Sequence, residues 1–108
     1  ASDVYKRQVY NLNPVVTMPN QNLVRQGLAR EDLFTVVHEH FMTDTARYAD
    51  VLLPATMQFE HWELMGSWGQ DYVAVNPPAI APRGEAIANT ELFRRLSRAL
   101  GFDEPWLT

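Results

Sequence analysis

The chain has 108 residues, 46% of them hydrophobic and 20% charged, and a net charge of −4. This length allows one domain with a modest core, and the negative charge argues against a nucleic-acid partner. The absence of cysteine excludes disulfides, thiolate zinc sites and iron–sulfur ligation by this chain, and no apolar run approaches the roughly 20 residues of a membrane segment.

The first part of the chain predicts a strand, a turn and a helix. The segment VYNLNP begins as a strand and ends as a turn, because Asn11, Asn13 and Pro14 are turn formers. A helix is predicted over about Asn22–Ala29, where apolar residues recur four positions apart. Strands and helices that alternate in this way are typical of a parallel α/β sheet.

The middle of the chain predicts two more strands around a short helix. Phe34–Val37 is a continuous apolar, β-branched run, typical of a strand buried on both faces, and Glu39 follows at its carboxyl end. Thr43 is placed to cap a short helix over Thr45–Ala49. Asp50–Leu53 then reads as the third strand, and Asp50 is predicted to orient the turn that leads into it.

Shorter elements are predicted in the second half. We expect a turn of helix over Gln58–Trp62, a glycine-bracketed loop over Gly66–Gly69 and an antiparallel edge strand over Tyr72–Val75. The last element is an amphipathic helix, capped by Asn89 or Thr90 and closed by Gly101. Its apolar face is lined by Leu92, Phe93, Leu96 and Leu100.

Four motifs in this order resemble the molybdopterin-guanine-dinucleotide-dependent oxidoreductases, the family that includes formate dehydrogenases, nitrate reductases and dimethyl sulfoxide reductases. They are VYNLNPVVTMPNQNLV, TDTARYADVLLPAT, EHWELMGSWG and PPAIAPRGEAIANTELFRRLSRALGF. The fold class that we predict is α/β: part of a parallel, three-layer Rossmann-like or flavodoxin-like domain, with an antiparallel edge strand and a C-terminal amphipathic helix.

The resemblance implies a fragment of a bacterial catalytic subunit, over residues 9–108, that holds one guanine dinucleotide arm of a molybdenum or tungsten pterin cofactor. The metal ligand and any iron–sulfur cluster belong to other parts of the parent, so we nominate no catalytic residue. The implied partners are the remainder of that subunit and an electron-transfer subunit, with the cytoplasm favoured over the periplasm. Residues 1–8, ASDVYKRQ, have no place in the family pattern, and we expect a leader or sequencing artefact outside the fold.

Six residues are candidates for cofactor contacts. Glu39 resembles the family's guanine contact, since an ionised carboxylate offers two acceptor oxygens to the paired donors of a guanine edge; the alternative is a solvated acid at a strand end. Thr43 is a helix cap with a further cofactor contact implied. The resemblance also points to Asn11 and Asn13 in the first turn, where the family commonly has glycine and an acid; the alternative is an ordinary asparagine-rich turn without a cofactor contact. It further points to Ser67 and Gln70 in the glycine-bracketed loop.

Two alternatives remain open from the sequence. One is a stand-alone α/β module that binds a nucleotide or a partner without catalysis. The other is a metal-binding module built on His38, His40 and His61. Two histidines at this spacing share a face only if the strand continues through both, and we expect His40 to lie in the turn instead.

Overall fold

The computed structural model describes residues 5–102. The chain divides into two compact units, Ala1–Pro54 and Ala55–Thr108. The first unit contains strand β1 (Tyr5–Tyr10), helices α1 (Pro14–Thr17) and α2 (Gln21–Leu28), strand β2 (Leu33–Glu39), a 3₁₀ turn (Ala46–Tyr48) and strand β3 (Val51–Pro54). The three strands form a parallel sheet in the order β1-β2-β3, and the α/β class that the sequence predicts is confirmed.

The core of the first unit lies on one face of this sheet. Val9 of β1 is the register partner of Val37 of β2, so their side chains lie on the same face. Both are buried, and they pack with Ala46 and the partly buried Ala49 of the turn after β2. The segment between β2 and β3 therefore covers the centre of the sheet.

The opposite face of the sheet is covered only in part. Phe34 of β2 is 41% exposed and Val51 of β3 is 38% exposed, whereas Thr35 and Val37 are buried. The prediction that β2 is buried on both faces is therefore wrong at Phe34, whereas Val36 is partly buried and His38 is buried on that same face. The reason is the alternation of side chains along a strand, which turns Phe34 away from the core that Val37 enters.

The boundary of the first strand corrects the expectation that residues 1–8 lie outside the fold. β1 begins at Tyr5, and Tyr5–Gln8 pair with Leu33–Val36 of β2; residues 1–4 lie outside the described residues. The side chains of Tyr5–Gln8 are all exposed, so their pattern carries no strand signal. Backbone N–H and C=O groups form the ladder regardless of side-chain type.

The helices of the first unit lie close to their predicted positions. α2 begins and ends one residue before the predicted Asn22–Ala29. The helix predicted over Thr45–Ala49 is shorter in the structure: a single 3₁₀ turn, Ala46–Tyr48. Runs of 3₁₀ helix are commonly this short and serve as connections between longer elements. The third strand, Val51–Pro54, is shifted by one residue from the prediction.

The second unit contains a 3₁₀ turn (Gln58–Glu60), strands β4 (Glu63–Gly66) and β5 (Val73–Asn76), and helix α3 (Asn89–Ala99). β4 and β5 pair antiparallel in a two-stranded sheet of their own. The predicted antiparallel strand is confirmed with a shift of one residue. Its partner β4 was not predicted, because the sequence there has no clear alternation of apolar and polar residues.

The cap of helix α3 is Ala88, one residue before the first of the two predicted cap residues. Ala88 has the extended cap conformation and its carbonyl accepts the Leu92 N–H at 2.9 Å, so the prediction of Asn89 or Thr90 as the cap is wrong. Glu91 in the first turn accepts a 2.7 Å hydrogen bond from Arg95, which lowers the pKa of the Glu91 carboxyl. None of the described helices has the length and apolar character needed to cross a membrane.

The predicted closure of α3 by Gly101 is confirmed. Gly101 has φ 77°, the Gly101 N–H donates to the Arg98 carbonyl at 3.1 Å, and the Phe102 N–H donates to the Ser97 carbonyl at 3.0 Å. These two bonds form a Schellman motif, which satisfies carbonyls that the helix end leaves without partners.

We expect Gly101→Ala to lower the free energy of α3 opening by about 1 kcal/mol, because a Cβ is disfavoured at positive φ. Hydrogen exchange of the α3 amides measures this. Gly27→Ala in α2 is the matched control: a Cβ there meets nothing within 4 Å, and we expect it to stabilise α2 by roughly 0.5–1 kcal/mol. Equal effects of the two substitutions on helix stability would contradict the assignment of Gly101 as the residue that closes α3.

Candidate functional site

The candidate site lies at the carboxyl ends of β1 and β2. The two strands are adjacent and parallel, with Tyr10 opposite His38, so the turns that follow them leave the sheet at the same edge. One turn carries Asn11 and Asn13, and the other begins at Glu39. Loops at this edge of a parallel α/β sheet are where such folds bind ligands.

Glu39 is the last residue of β2 and its side chain is only 14% exposed. Its Oε1 accepts the His40 backbone N–H at 2.8 Å, and His40 Nδ1 lies 3.7 Å from the same oxygen. An ionised carboxylate has about four acceptor positions on its two oxygens. The contact to His40 therefore orients the carboxylate and leaves it with capacity for further donors.

Thr43 caps the turn that follows β2, as the sequence predicts. Its Oγ1 accepts the Ala46 N–H at 3.2 Å, and its carbonyl accepts the Arg47 N–H at 3.3 Å. The predicted bond between the Thr43 hydroxyl and an N–H at the start of the turn is confirmed, although the residue directly before the 3₁₀ turn is Thr45. The hydroxyl hydrogen of a capping threonine is not used by the cap itself.

A buried hydrogen-bond chain joins the two turns. Thr45, which is fully buried, donates to Asn13 Oδ1 at 2.5 Å and accepts the buried Val15 N–H at 3.1 Å. The amide oxygen of Asn13 is therefore used to tie the turn after β1 to the turn after β2. Sequence reasoning missed the role of Thr45. The only hint in the sequence is that a second threonine follows two residues after Thr43.

Asn11 has a left-handed backbone, with φ 54°. Asparagine is one of the few residues besides glycine that adopt this region readily. Asn11 therefore adopts this conformation with less strain than most other side chains would. Its amide side chain is exposed at the end of β1.

Asp50 orients the start of β3, which confirms its predicted role. Its Oδ2 accepts the Thr35 N–H at 2.7 Å, and its own N–H donates to the Thr35 carbonyl at 2.9 Å. Asp50 thus extends the pairing of β2 with β3 beyond the strand itself. This helps to hold the turn that contains Ala46 against the sheet face that carries Val9 and Val37.

Ser67 and Gln70 lie in the second unit, in the exposed loop between β4 and β5. The Gln70 side-chain oxygen accepts the Tyr72 N–H at 3.2 Å. The loop surrounds an open cavity of about 460 Å³, lined by residues 66–73. Trp68 at its centre is fully exposed.

The histidines of the first unit do not share a face. β2 ends at Glu39, so His40 lies in the following turn, as expected; it is exposed, whereas His38 within the strand is buried. Across residues 5–102, no group of three His, Asp or Glu side chains is arranged to hold a metal ion.

Comparison with known proteins identifies the family. Residues 2–99 match the family model for molybdopterin oxidoreductases. The chain belongs to this family. Membership confirms the resemblance seen in the sequence, and it implies a molybdenum or tungsten pterin cofactor for the molybdopterin oxidoreductase of which this chain forms part.

Relatives within the molybdopterin oxidoreductases are much longer than this chain. It is 50% identical over 96 residues to the probable oxidoreductase YoaE of Bacillus subtilis, which covers 89% of the chain and 14% of that protein. It is 36% identical over 92 residues to a nitrate reductase of Synechocystis, and the match covers 84% of the chain and 13% of that protein. It is 30% identical over 101 residues to a putative formate dehydrogenase of Staphylococcus haemolyticus, and the match covers 94% of the chain and 10% of that protein. The chain thus spans 10–14% of these relatives.

Proposed function

We propose that this chain is part of the catalytic subunit of a molybdopterin-dependent oxidoreductase and that it binds one guanine dinucleotide arm of the cofactor. The observation that carries the proposal is the position of Glu39 at the carboxyl edge of the sheet, next to the turn of the neighbouring strand. Family membership supports the pterin cofactor, and the residues at this edge support a nucleotide.

The chemistry of Glu39 fits a guanine ring. Guanine presents an N1–H and an exocyclic amine side by side, and a carboxylate accepts from both. Glu39 is held by the His40 N–H and is mostly shielded from water. Because a shielded carboxylate makes stronger hydrogen bonds than an exposed one, this position favours guanine over bases that lack the paired donors.

The other candidates have supporting roles in this proposal. Thr43 offers a hydroxyl donor to the ribose or phosphates, and Asn11 offers an amide at the end of β1. Asn13 contributes through the buried Thr45 contact that positions the turn. Ser67 and Gln70 lie in the loop between β4 and β5 of the second unit, and their role in cofactor binding stays a prediction.

The cofactor, when bound, supplies two-electron redox chemistry, and this chain supplies orientation and hydrogen bonds. We nominate no catalytic residue in the chain and expect no turnover from it alone. The metal ligand, any iron–sulfur cluster and the contacts with an electron-transfer subunit are assigned to the remainder of the parent subunit. A cytoplasmic location is part of the same proposal.

Glu39→Gln tests the guanine contact. We expect the substitution to weaken GMP binding by roughly 10- to 100-fold, because it removes a charge-assisted hydrogen bond and places an amide donor against the guanine donors. Isothermal titration calorimetry measures the dissociation constant. The wild-type chain is also expected to prefer GMP over AMP, and Glu39→Gln to lose that preference.

Glu31→Gln is the matched control, since Glu31 is exposed and lies before β2, at the opposite end of the strand. It should leave GMP binding within about twofold of wild type, as an exposed charge far from a ligand has little effect. Equal GMP affinity in wild type and Glu39→Gln would remove Glu39 from the site.

A further inference from the structure

A second cavity lies beside the candidate site, in the first unit. It measures about 230 Å³ and is bounded by α2, by Val15 of α1 and by the turn after β2. Its lining residues are Val15, Arg25, Asp44, Arg47 and Tyr48. Two arginines from separate elements, α2 and the 3₁₀ turn, therefore border one small cavity.

Within the part of the chain that the structure describes, neither arginine forms an ion pair with a carboxylate. In the first unit, the ion pairs among residues 5–102 are Arg30–Asp32 and His40–Glu39. Arg25 and Arg47 take part in neither pair, and Asp44 borders the same cavity without pairing to them. Two like charges at one cavity repel each other, and an anion between them converts this repulsion into attraction.

The donors at this cavity fit a phosphate group. Arginine presents several N–H donors in a planar fork, which matches the oxygens of a phosphate in a bidentate manner. Tyr48 is half-buried and has a hydroxyl donor. Val15 forms a buried wall, and its N–H is already used by Thr45.

We propose that this cavity binds a phosphate group through Arg25 and Arg47, with Tyr48 as an additional donor. The cavity is built on the segment that carries Thr43, because the Arg47 N–H donates to the Thr43 carbonyl. The phosphate has two possible sources, the diphosphate of the dinucleotide arm and a separate phosphate compound. The first source rests on the proposed function, whereas the site itself does not.

The site is tested with the full chain and inorganic pyrophosphate, titrated by calorimetry at fixed ionic strength. We expect saturable binding to wild type and at least tenfold weaker binding to the double variant Arg25→Gln/Arg47→Gln. Asp44→Asn should bind two- to threefold more tightly, because it removes the acid that opposes the anion. Circular dichroism checks that each variant keeps its fold.

The charge-matched control is Arg83→Gln/Arg98→Gln, which removes two exposed arginines of the second unit. It should keep pyrophosphate affinity within about twofold of wild type, since neither arginine lines the cavity and exposed charges are screened by salt. Equal weakening in both double variants would show diffuse electrostatic attraction and overturn the proposal. The absence of saturable pyrophosphate binding to wild type would also overturn it.

GDP and guanosine distinguish the two sources. If the Arg25/Arg47 variant weakens GDP binding and leaves guanosine unchanged, the phosphate belongs to the dinucleotide. If it loses pyrophosphate and keeps GDP affinity, the phosphate belongs to a separate compound, and the site is supported in both cases. Glu39→Gln should weaken guanosine binding while leaving pyrophosphate binding unchanged, so a failure of the guanine contact and a failure of the phosphate site are read separately.

Discussion

Thr45→Val is expected to lower the free energy of unfolding of the first unit by about 2–4 kcal/mol, because it leaves two polar groups without their partner. Valine has nearly the shape of threonine, so packing is preserved and only the hydroxyl is lost. The buried Val15 N–H then has no acceptor, and Asn13 Oδ1 loses the hydroxyl that donates to it. The turns after β1 and β2 are no longer joined.

Hydrogen exchange of the slowest β2 amides measures the loss, since it reports on the first unit separately from the second. Thr17→Val is the matched control. The Thr17 hydroxyl is exposed, and it donates to the Asn13 carbonyl, which also accepts the Val16 and Thr17 N–H groups. We expect a change within about 0.5 kcal/mol there. A similar loss of unfolding free energy in both variants would contradict the importance of the buried hydrogen bonds of Thr45.

Val37→Ala is expected to destabilise the first unit by about 2–3 kcal/mol. Val37 is 1% exposed, in the central strand, and packs with Val9 and Ala46. Removing the equivalent of two methylene groups costs about 1.6 kcal/mol of transfer free energy, and the cavity that remains adds to this cost. The neighbours Val9, Ala46 and Ala49 have small side chains, which cannot reach far enough to refill the space.

The same exchange measurement applies to Val37→Ala. Val51→Ala is its control, because Val51 lies in the same sheet and is 38% exposed. We expect it to cost less than about 1 kcal/mol, since a half-exposed side chain loses less contact with the core and leaves no closed cavity. An equal cost at the two positions would mean that the open face of the sheet is as well packed as the covered one.

The elements with strong local signals were predicted well from the sequence. The apolar spacing in α2, the β-branched run of β2 and the glycine after α3 each depend on residues within a few positions of one another. Their structures agree with the predictions to within one or two residues. Residues 5–8 and β4 were missed because their side chains carry no periodic pattern and only backbone pairing makes them strands.

The candidate site also combines residues that the local sequence predicts with contacts that it does not predict. Glu39 and Thr43 are recognisable in the sequence as residues that follow a buried strand, and their family resemblance suggests a nucleotide. The contact between Asn13 and Thr45 joins residues 32 positions apart. Arg25 and Arg47 likewise come from different elements. No local pattern predicts such pairs, because they meet only after the strands have paired in register.

The sequence by itself determined the family, the α/β class and the positions of most helices and strands, because periodicity, capping residues and motif order are local properties of the chain. Only the tertiary structure decided which side chains meet. It placed Thr45 between the two turns, left one face of the sheet partly open and brought two arginines to one cavity. The physical reason is that strand register and the packing of turns against the sheet are set by contacts between distant residues, which local side-chain patterns do not encode.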